Sequence, residues 1–410
     1  MRKIKAMNIL FLSEVFYPHG GGAELATYLY ASLLREEGFS VIVVTNKFSG
    51  DLPFSESNSL KIYRLPLFKD LSSTKYSILK RFDVIFSSFF NDLLRWADVV
   101  YVPRFWFSAI TMAKFHKKPV IFHMHDYIAV CSVSNLFKKS EVEVCSRRGI
   151  FCSPKCILEF EKSHGSTFGE TLSSVALNSI AGRWIPRLAT MADAIVCVSK
   201  KQEELVVKRE RKFRQKSCVI YNPFPCYPEP EEFGDDFGYF GGSDDLKGFR
   251  VLFHSAQRIN GTRSNPIRIH CTKLPASIEF AETVKRFGLL PYPKLEVAEL
   301  DRLYQKLKAV LIPSVWNEPW PYVTVEALVR GRFVIGSNIG GIPEQIEGCK
   351  GAILCEPGNV KMLADSIEYV DSLRKDALVE LGHQNRETFL KRFNNYSSVR
   401  KFISLCEKLV

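Results

Sequence analysis

Short apolar runs recur along the chain and alternate with stretches of helical period. In the first half they fall at residues 7–14, 41–45, 97–103, 119–125 and 192–199. A near-continuous apolar strand has no face to give to water. It belongs in a parallel sheet covered on both sides by crossover helices. Between the first two runs, residues 23–37 place Leu25, Tyr28, Leu29 and Leu33 on one helical face and stop at Gly38, which completes a βαβ unit. The first half therefore reads as a doubly wound α/β domain.

At residues 221–232 the pattern breaks. Pro223, Pro225, Pro228 and Pro230 stiffen this segment and suit neither periodicity. Alternation then resumes, with Tyr239-Phe-Gly-Gly, a helix from about Lys247, strands at 267–271, 309–313 and 333–336, and helices at 297–307 and 323–329. A length of 410 residues suits two such domains. The expected fold class is α/β, with two Rossmann-like doubly wound domains facing a cleft. Residues 1–225 form the first and residues 233–385 the second, and a C-terminal helix within 386–410 packs back on the first. Ligands of open α/β sheets bind beyond the carboxyl ends of the strands, so two facing edges would hold a bipartite ligand.

With 46% hydrophobic and 24% charged residues, the composition excludes disordered and fibrous classes. The aromatic-rich stretch 84–115 is interrupted by Asp92, Arg95, Asp98, Arg104 and Lys114, so no transmembrane helix is expected. The first residues run straight into a strand pattern with no cleavage site, which reads as cytoplasmic. The formal net charge of +12 leaves three kinds of anionic partner open: nucleic acid, a membrane surface, or small polyanions. The densest basic run, 200–216, also carries Leu205, Val206 and Val207, the mixture of an amphipathic helix with a solvated face.

Chemistry concentrates at Pro313-Ser-Val-Trp-Asn-Glu318-Pro-Trp-Pro-Tyr-Val-Thr-Val-Glu326. Glu318 falls in a loop after a strand, and Glu326 inside the helix that follows, where it could accept hydrogen bonds from a diol. The free amides of that helix start suit an anion. Two glutamates at this spacing alone mean little; a helix cap and a surface residue would explain them.

The surrounding motifs add weight. This segment, with Gly340-Gly-Ile-Pro-Glu344 downstream, resembles the donor-binding core of glycosyltransferase family 4, whose fold is GT-B. The resemblance extends to Tyr17-Pro-His-Gly-Gly-Gly-Ala-Glu24, His125-Asp126, Ala192-Asp-Ala-Ile-Val-Cys-Val-Ser199, Val219-Ile-Tyr-Asn-Pro223, and Tyr239-Phe-Gly-Gly with Lys247-Gly248. It implies a retaining transferase that moves a sugar from a nucleotide-diphosphate donor to a glycan or lipid-linked acceptor. It also implies catalytic roles for Glu318, His125 and Lys247, and donor contacts from Glu326, Gly20, Gly21, Gly22, Tyr322, Val323 and Asn222. A carboxylate accepting both ribose hydroxyls suits Glu326, and Lys247 would neutralise the diphosphate. The expected setting is polysaccharide or glycoconjugate biosynthesis, with no nucleic-acid partner and an anionic membrane surface as a possible station.

Two departures stand out. Where the family carries an arginine after the glycine of its Gly-Arg-Leu segment, this chain has Gly241-Gly242-Ser243. Either Arg258 or Arg263 replaces the lost cation, or Lys247 and helix amides suffice. Pro321 removes an amide donor from the Glu318 loop.

Other signals stay open. Gly20–Gly22 lacks the G-x-G-x-x-G spacing of a dinucleotide fingerprint, which argues against a dehydrogenase. His123 and His125 would point the same way on a strand, as a metal pair or as structural histidines. Asp244-Asp245 suits a solvated turn. Cys131, Cys145, Cys152 and Cys156, in a loop spanning 127–160, satisfy the ligand count of a structural zinc; disulfide stapling and free thiols are the alternatives. No cofactor is expected for catalysis. A nucleotide-sugar epimerase of the same architecture is the alternative enzyme, and a basic nucleic-acid-binding protein the alternative non-enzyme.

Overall fold

The computed structural model describes residues 7–57, 60–68, 82–138, 143–145, 152–163, 167–228, 233–274 and 278–410. The chain divides into two compact units, one from Met1–Leu136, Ser146–Phe224 and Asn395–Val410, the other from Phe137–Cys145 and Pro225–Asn394. Both carry a parallel sheet.

The strands are β1 (Asn8–Leu12), β2 (Ser40–Asn46), β3 (Phe54–Ser57), β4 (Leu60–Leu65), β5 (Val99–Pro103), β6 (Val120–Met124), β7 (Phe137–Lys138), β8 (Glu143–Val144), β9 (Ala194–Cys197) and β10 (Ser217–Val219). The second unit adds β11 (Asp236–Tyr239), β12 (Ile269–Cys271), β13 (Leu289–Pro291), β14 (Leu307–Ile312), β15 (Phe333–Ser337) and β16 (Ala352–Cys355). In the first unit the order is β10-β9-β6-β5-β1-β2-β4-β3, parallel except for the antiparallel edge strand β3. In the second it is β13-β12-β11-β14-β15-β16, parallel throughout. The short β7–β8 hairpin, which the sequence reading assigns to the first domain, groups with the second unit.

The apolar runs form the strands because both faces are covered. Ile9, Phe11, Val43, Tyr101, Ile121 and Val196 are fully or nearly fully buried and share a core with Tyr30 of the helix Gly22–Glu36. Phe402 of the last helix, Asn395–Leu409, completes that layer, with its ring 5.3 Å from both Tyr30 and Tyr101. Burying one such ring contributes about 1.5–3 kcal/mol. The helix Lys375–Arg392 stays with the second unit, so the chain's return to the first begins at Asn395.

In each sheet the winding reverses beside the first strand: between β1 and β5, and between β11 and β14. Loops diverge at such a reversal and leave a crevice at the carboxyl ends of the strands. The crevice loops are 13–21 and 104–106 in the first unit, and 240–248 and 313–321 in the second. Lys247 and Glu318 stand on these loops and Tyr322 and Glu326 in the helix just beyond, whereas His125 follows β6 and Asn222 follows β10.

Candidate functional site

In the second unit, Lys247 ends the loop after β11 and Glu318 occupies the loop after β14. The Lys247 Nζ donates to both carboxylate oxygens of Glu318, at 2.7 Å each, and the Ser314 hydroxyl donates to Oε1 at 2.7 Å. Glu318 is buried and Lys247 keeps about a third of its side chain exposed, 5.5 Å above the Trp316 ring. Glu318 does not cap the following helix; Pro321 holds the N-cap position. The loop's pose is set from outside by Gly340, where φ is +61° and an added Cβ would lie 2.3 Å from the Glu318 carbonyl oxygen. Gly341 N–H then donates to that same oxygen at 2.7 Å. The Gly340-Gly341 pair is thus the seat of the Glu318 peptide.

Glu326 lies in the helix Tyr322–Val329. Tyr227 and Tyr304 each donate a hydroxyl to one of its oxygens, at 3.3 Å. Both phenols are pushed up, chiefly by burial and then by the neighbouring Glu326 charge, so they remain donors. Burial likewise raises the Glu326 carboxyl, against the pull of Arg330 and the two tyrosines. Arg330 stands one turn on, paired with Asp301 and sandwiched between the rings of Tyr227 and Tyr304 at 4.2 and 4.4 Å. This clamp holds the Glu326 carboxylate at one end of the crevice. Tyr322 and Val323 open the same helix and are half-buried, and Gln345 Nε2 donates to the Pro321 carbonyl at 3.1 Å, which pins the helix start.

The first unit's crevice holds a buried polar network built around Arg104. Gly20-Gly21-Gly22 leads into the helix Gly22–Glu36, and the Gly21 N–H donates to Glu24 Oε2 at 2.7 Å. Arg104 pairs with the other oxygen of Glu24 and lies 3.7 Å from Asp126. The Gly21 amide, which the sequence reading turns toward a donor, is therefore taken by an internal carboxylate. Glu14 is buried within the electrostatic reach of Arg104; desolvation pushes its pKa up to about 8, against backbone hydrogen bonding and Arg104.

His125 follows β6, and its ring stacks on His123 with centroids 4.3 Å apart. Rings stacked on one another, with planes 30° apart, do not converge on a metal. His123 Nδ1 shares a 2.7 Å hydrogen bond with the Tyr101 hydroxyl. Burial, then Arg104, lowers the His125 pKa to about 3, and burial with His125 lowers that of His123, so both rings are neutral at physiological pH. The His125 Nε2 is enclosed and has no hydrogen-bond partner. Asn222 is buried in the segment after β10, its Oδ1 also without a partner.

Two sequence alternatives are decided against. Arg263 is engaged by Glu368 at 2.9 Å and Asp371 at 3.7 Å, and Arg258 lies in the last turn of the helix Phe249–Asn260, whose other end adjoins Lys247. A rise of about 1.5 Å per residue puts Arg258 more than 10 Å along the axis from that end. Asp244 caps the turn Asp245–Lys247 and Asp245 pairs with Arg250, as a solvated turn would. The four-cysteine expectation depends on Cys152, whose side chain lies outside the described residues. Among the described residues no group of three His, Cys, Asp or Glu side chains is placed to hold a metal ion.

Sequence reasoning missed Tyr227, Tyr304, Arg330, Ser314, Glu14 and Arg104. Ser314, four residues before Glu318, and Arg330, four after Glu326, were within reach of a local reading.

Residues 20–226 match the family described as Glycosyltransferase Family 4, and residues 291–387 match Glycosyl transferases group 1. Among curated proteins, the chain is 27% identical over 350 residues to an uncharacterized 42.6 kDa protein in the cps region of Klebsiella pneumoniae, covering 82% of this chain and 87% of that one. It is 25% identical over 389 residues to a subunit of the human phosphatidylinositol N-acetylglucosaminyltransferase, covering 89% and 69%. Its fold is similar to that of a sucrose-phosphate synthase from Thermosynechococcus elongatus, with a TM-score of 0.69 and 16% identity over 98% of this chain and 99% of that one. Anabaena HepE, solved in complex with UDP and glucose, matches with a TM-score of 0.62 and 16% identity over 98% and 100%. The α/β architecture of parallel sheets is that of GT-B glycosyltransferase structures.

Proposed function

The chain belongs to glycosyltransferase family 4, and from that premise we propose that it transfers a sugar from a nucleotide-diphosphate donor to a lipid-linked or glycan acceptor with retention of configuration. That it is a glycosyltransferase follows from the family; donor, stereochemistry and acceptor are this proposal. The observation that carries the donor reading is the pairing of Lys247 with Glu318 on the two loops of the second unit's crevice, with Glu326 clamped nearby.

A diphosphate brings two or more negative charges, and more develop on it as the glycosidic bond breaks. A preorganised lysine at that point stabilises the developing charge without reorganising. The Lys247 ammonium has a third donor proton beyond the two given to Glu318, and it is the accessible partner of the pair. Glu318, held by Lys247 and Ser314, would accept hydroxyls of the donor sugar. Glu326, with two phenols fixing its carboxylate, would accept the two ribose hydroxyls. The neutral His125, with an enclosed nitrogen lacking a partner, is suited to a hydrogen bond to a sugar hydroxyl. The UDP named for HepE and the inositol-lipid acceptor in the name of the human relative fit a nucleotide donor and a lipid acceptor.

A lipid acceptor requires approach to a membrane surface. Lys208, Arg211, Lys212 and Arg214 are exposed on the first unit, between the buried Leu205, Val206 and Phe213, whereas Lys216 is spent on the carbonyls of Thr190 and Ala192. No described helix is long and apolar enough to cross a membrane.

The test incubates the protein with labelled nucleotide sugars, with and without lipid extract, and reads products by mass and anomeric configuration by NMR. An acceptor-dependent product of retained configuration supports the proposal. Isomerised donor in the absence of acceptor, or an inverted product, overturns it. Binding to anionic vesicles at low salt that R211E/K212E/R214E abolishes supports the membrane station; equal binding by the variant sinks it.

A further inference from the structure

The second unit lacks the arginine that the Gly241-Gly242-Ser243 segment would be expected to carry, and neither Arg263 nor Arg258 takes its place. A different residue leans on that segment. Lys273 follows β12, the strand beside β11, and so emerges at the same sheet edge as Lys247. An added Cβ at Gly242 would lie 3.1 Å from the Lys273 carbonyl oxygen and 3.4 Å from its Cβ. Gly242, with φ +68°, therefore leaves the room in which Lys273 sits.

Lys273 itself adopts φ +60°, a conformation that disfavours every side chain with a Cβ. The strained residue is anchored on both sides: Thr272 N–H donates to the Tyr239 carbonyl at 3.1 Å, Lys273 N–H to the Pro293 carbonyl at 3.2 Å, and Leu274 N–H to the Tyr292 carbonyl at 3.2 Å. The backbone of three adjacent strand ends thus holds one lysine in a costly conformation next to a glycine loop.

Its charge environment is consistent with an anion. Partial desolvation lowers the Lys273 ammonium, Glu326 opposes this, and the ammonium groups of Lys247 and Lys294 lower it further. Three lysines on loops after β11, β12 and β13 repel one another, while Glu318 and Glu326 are the nearby carboxylates. A bound dianion would turn that repulsion into attraction.

Resting on the donor reading above, we infer that Lys273 is the second phosphate-binding cation of the donor site, contacting the diphosphate from the β12 side in place of the missing arginine. With Lys247 on one loop and Lys273 on the next, the diphosphate lies between them, and Glu326 marks the ribose end.

The experiment measures calorimetric binding of UDP, GDP and ADP, and of the matching nucleosides, to the wild type and to K273A, K273G and K273R. Loss of one charge-assisted contact weakens diphosphate binding about 10- to 100-fold. The expected result is that loss in K273A and in K273G, near-complete rescue in K273R, a shallower salt dependence in the two neutral variants, and unchanged nucleoside binding. K273G removes the charge while relieving the backbone, so a fault of conformation alone would spare it. Diphosphate affinity in K273A equal to wild type overturns the assignment and leaves the donor reading standing. Wild-type protein that binds none of the three diphosphates overturns the donor reading and this assignment with it.

Discussion

The two crevices of this chain arise from the same winding reversal and differ in what fills them. In the first unit, Arg104 is paired with Glu24 and near Asp126, burial favours the neutral form of Glu14, and His125 and His123 are neutral stacked rings. In the second, Lys247 is paired with Glu318, and Lys273 feels the charges of Lys247 and Lys294 against that of Glu326. One sheet edge sets one arginine among three carboxylates; the other gathers three lysines on neighbouring loops, the excess of cations on which the proposed donor reading rests. A fold places loops; whether a loop site is saturated or poised depends on how many opposite charges the neighbouring loops supply.

The strongest way to break this contrast is K247A. Removing the cation from the poised crevice should lower kcat/KM for the nucleotide sugar about 100- to 1000-fold, in steady-state kinetics at fixed acceptor. Wild-type kinetics would mean that the second crevice is no more an anion site than the first.

G340A tests whether the Glu318 pose depends on close backbone approach. A methyl 2.3 Å from the Glu318 carbonyl oxygen, at a left-handed φ, must displace one loop. The expected cost is about 2–4 kcal/mol in urea unfolding, with donor binding weakened in parallel. A variant as stable as wild type would remove this account of the glycine pair.

Glu14 sharpens the other side. Its folded pKa of about 8 lies above the ordinary 4.5, so its neutral form stabilises the fold fully below about pH 4.5, and this contribution is lost as pH rises toward about 8. Glu14→Gln has no proton to lose. The stability of E14Q relative to wild type should therefore grow by about 1.4 kcal/mol per pH unit between pH 5 and 8, in urea unfolding of both proteins. A pH-independent difference would show that Glu14 is ionised in the fold and that the first crevice carries a free charge after all.

The smallest expected effect belongs to Y304F. Deleting one of the two phenols that orient Glu326 should cost donor affinity a few-fold, about 0.5–1.5 kcal/mol, with kcat nearly unchanged. A fall in kcat with unchanged KM would move Glu326 from ribose contact to the reacting centre.

Much of this was legible locally. β1, β2, β5, β6, β9 and β14 appear in the sequence within two residues of their observed ends, because a strand buried on both faces must be apolar at nearly every position. Lys247, Glu318 and Glu326 were identifiable as a group through the resemblance of the motifs around them to glycosyltransferase family 4, since the spacing of the two glutamates alone means little. The partners of those residues were not: Tyr227 meets Glu326 across 99 positions and Arg104 meets Glu24 across 80, separations at which no period or motif carries information. The sequence reading also left the replacement for the arginine open among Arg258, Arg263, and Lys247 with helix amides. It could not weigh Lys273, which becomes a neighbour of Gly242 only when β12 pairs beside β11.

Alternating apolar and helical runs, two prolyl-delimited halves and the motifs at strand ends were determined by sequence alone, since covering both faces of a parallel sheet constrains every residue of a strand. Which charges are spent and which remain available was decided only by the tertiary structure. Coulomb energy and desolvation depend on the distance between side chains in space, and neighbouring strands of a doubly wound sheet bring together residues that the chain keeps far apart.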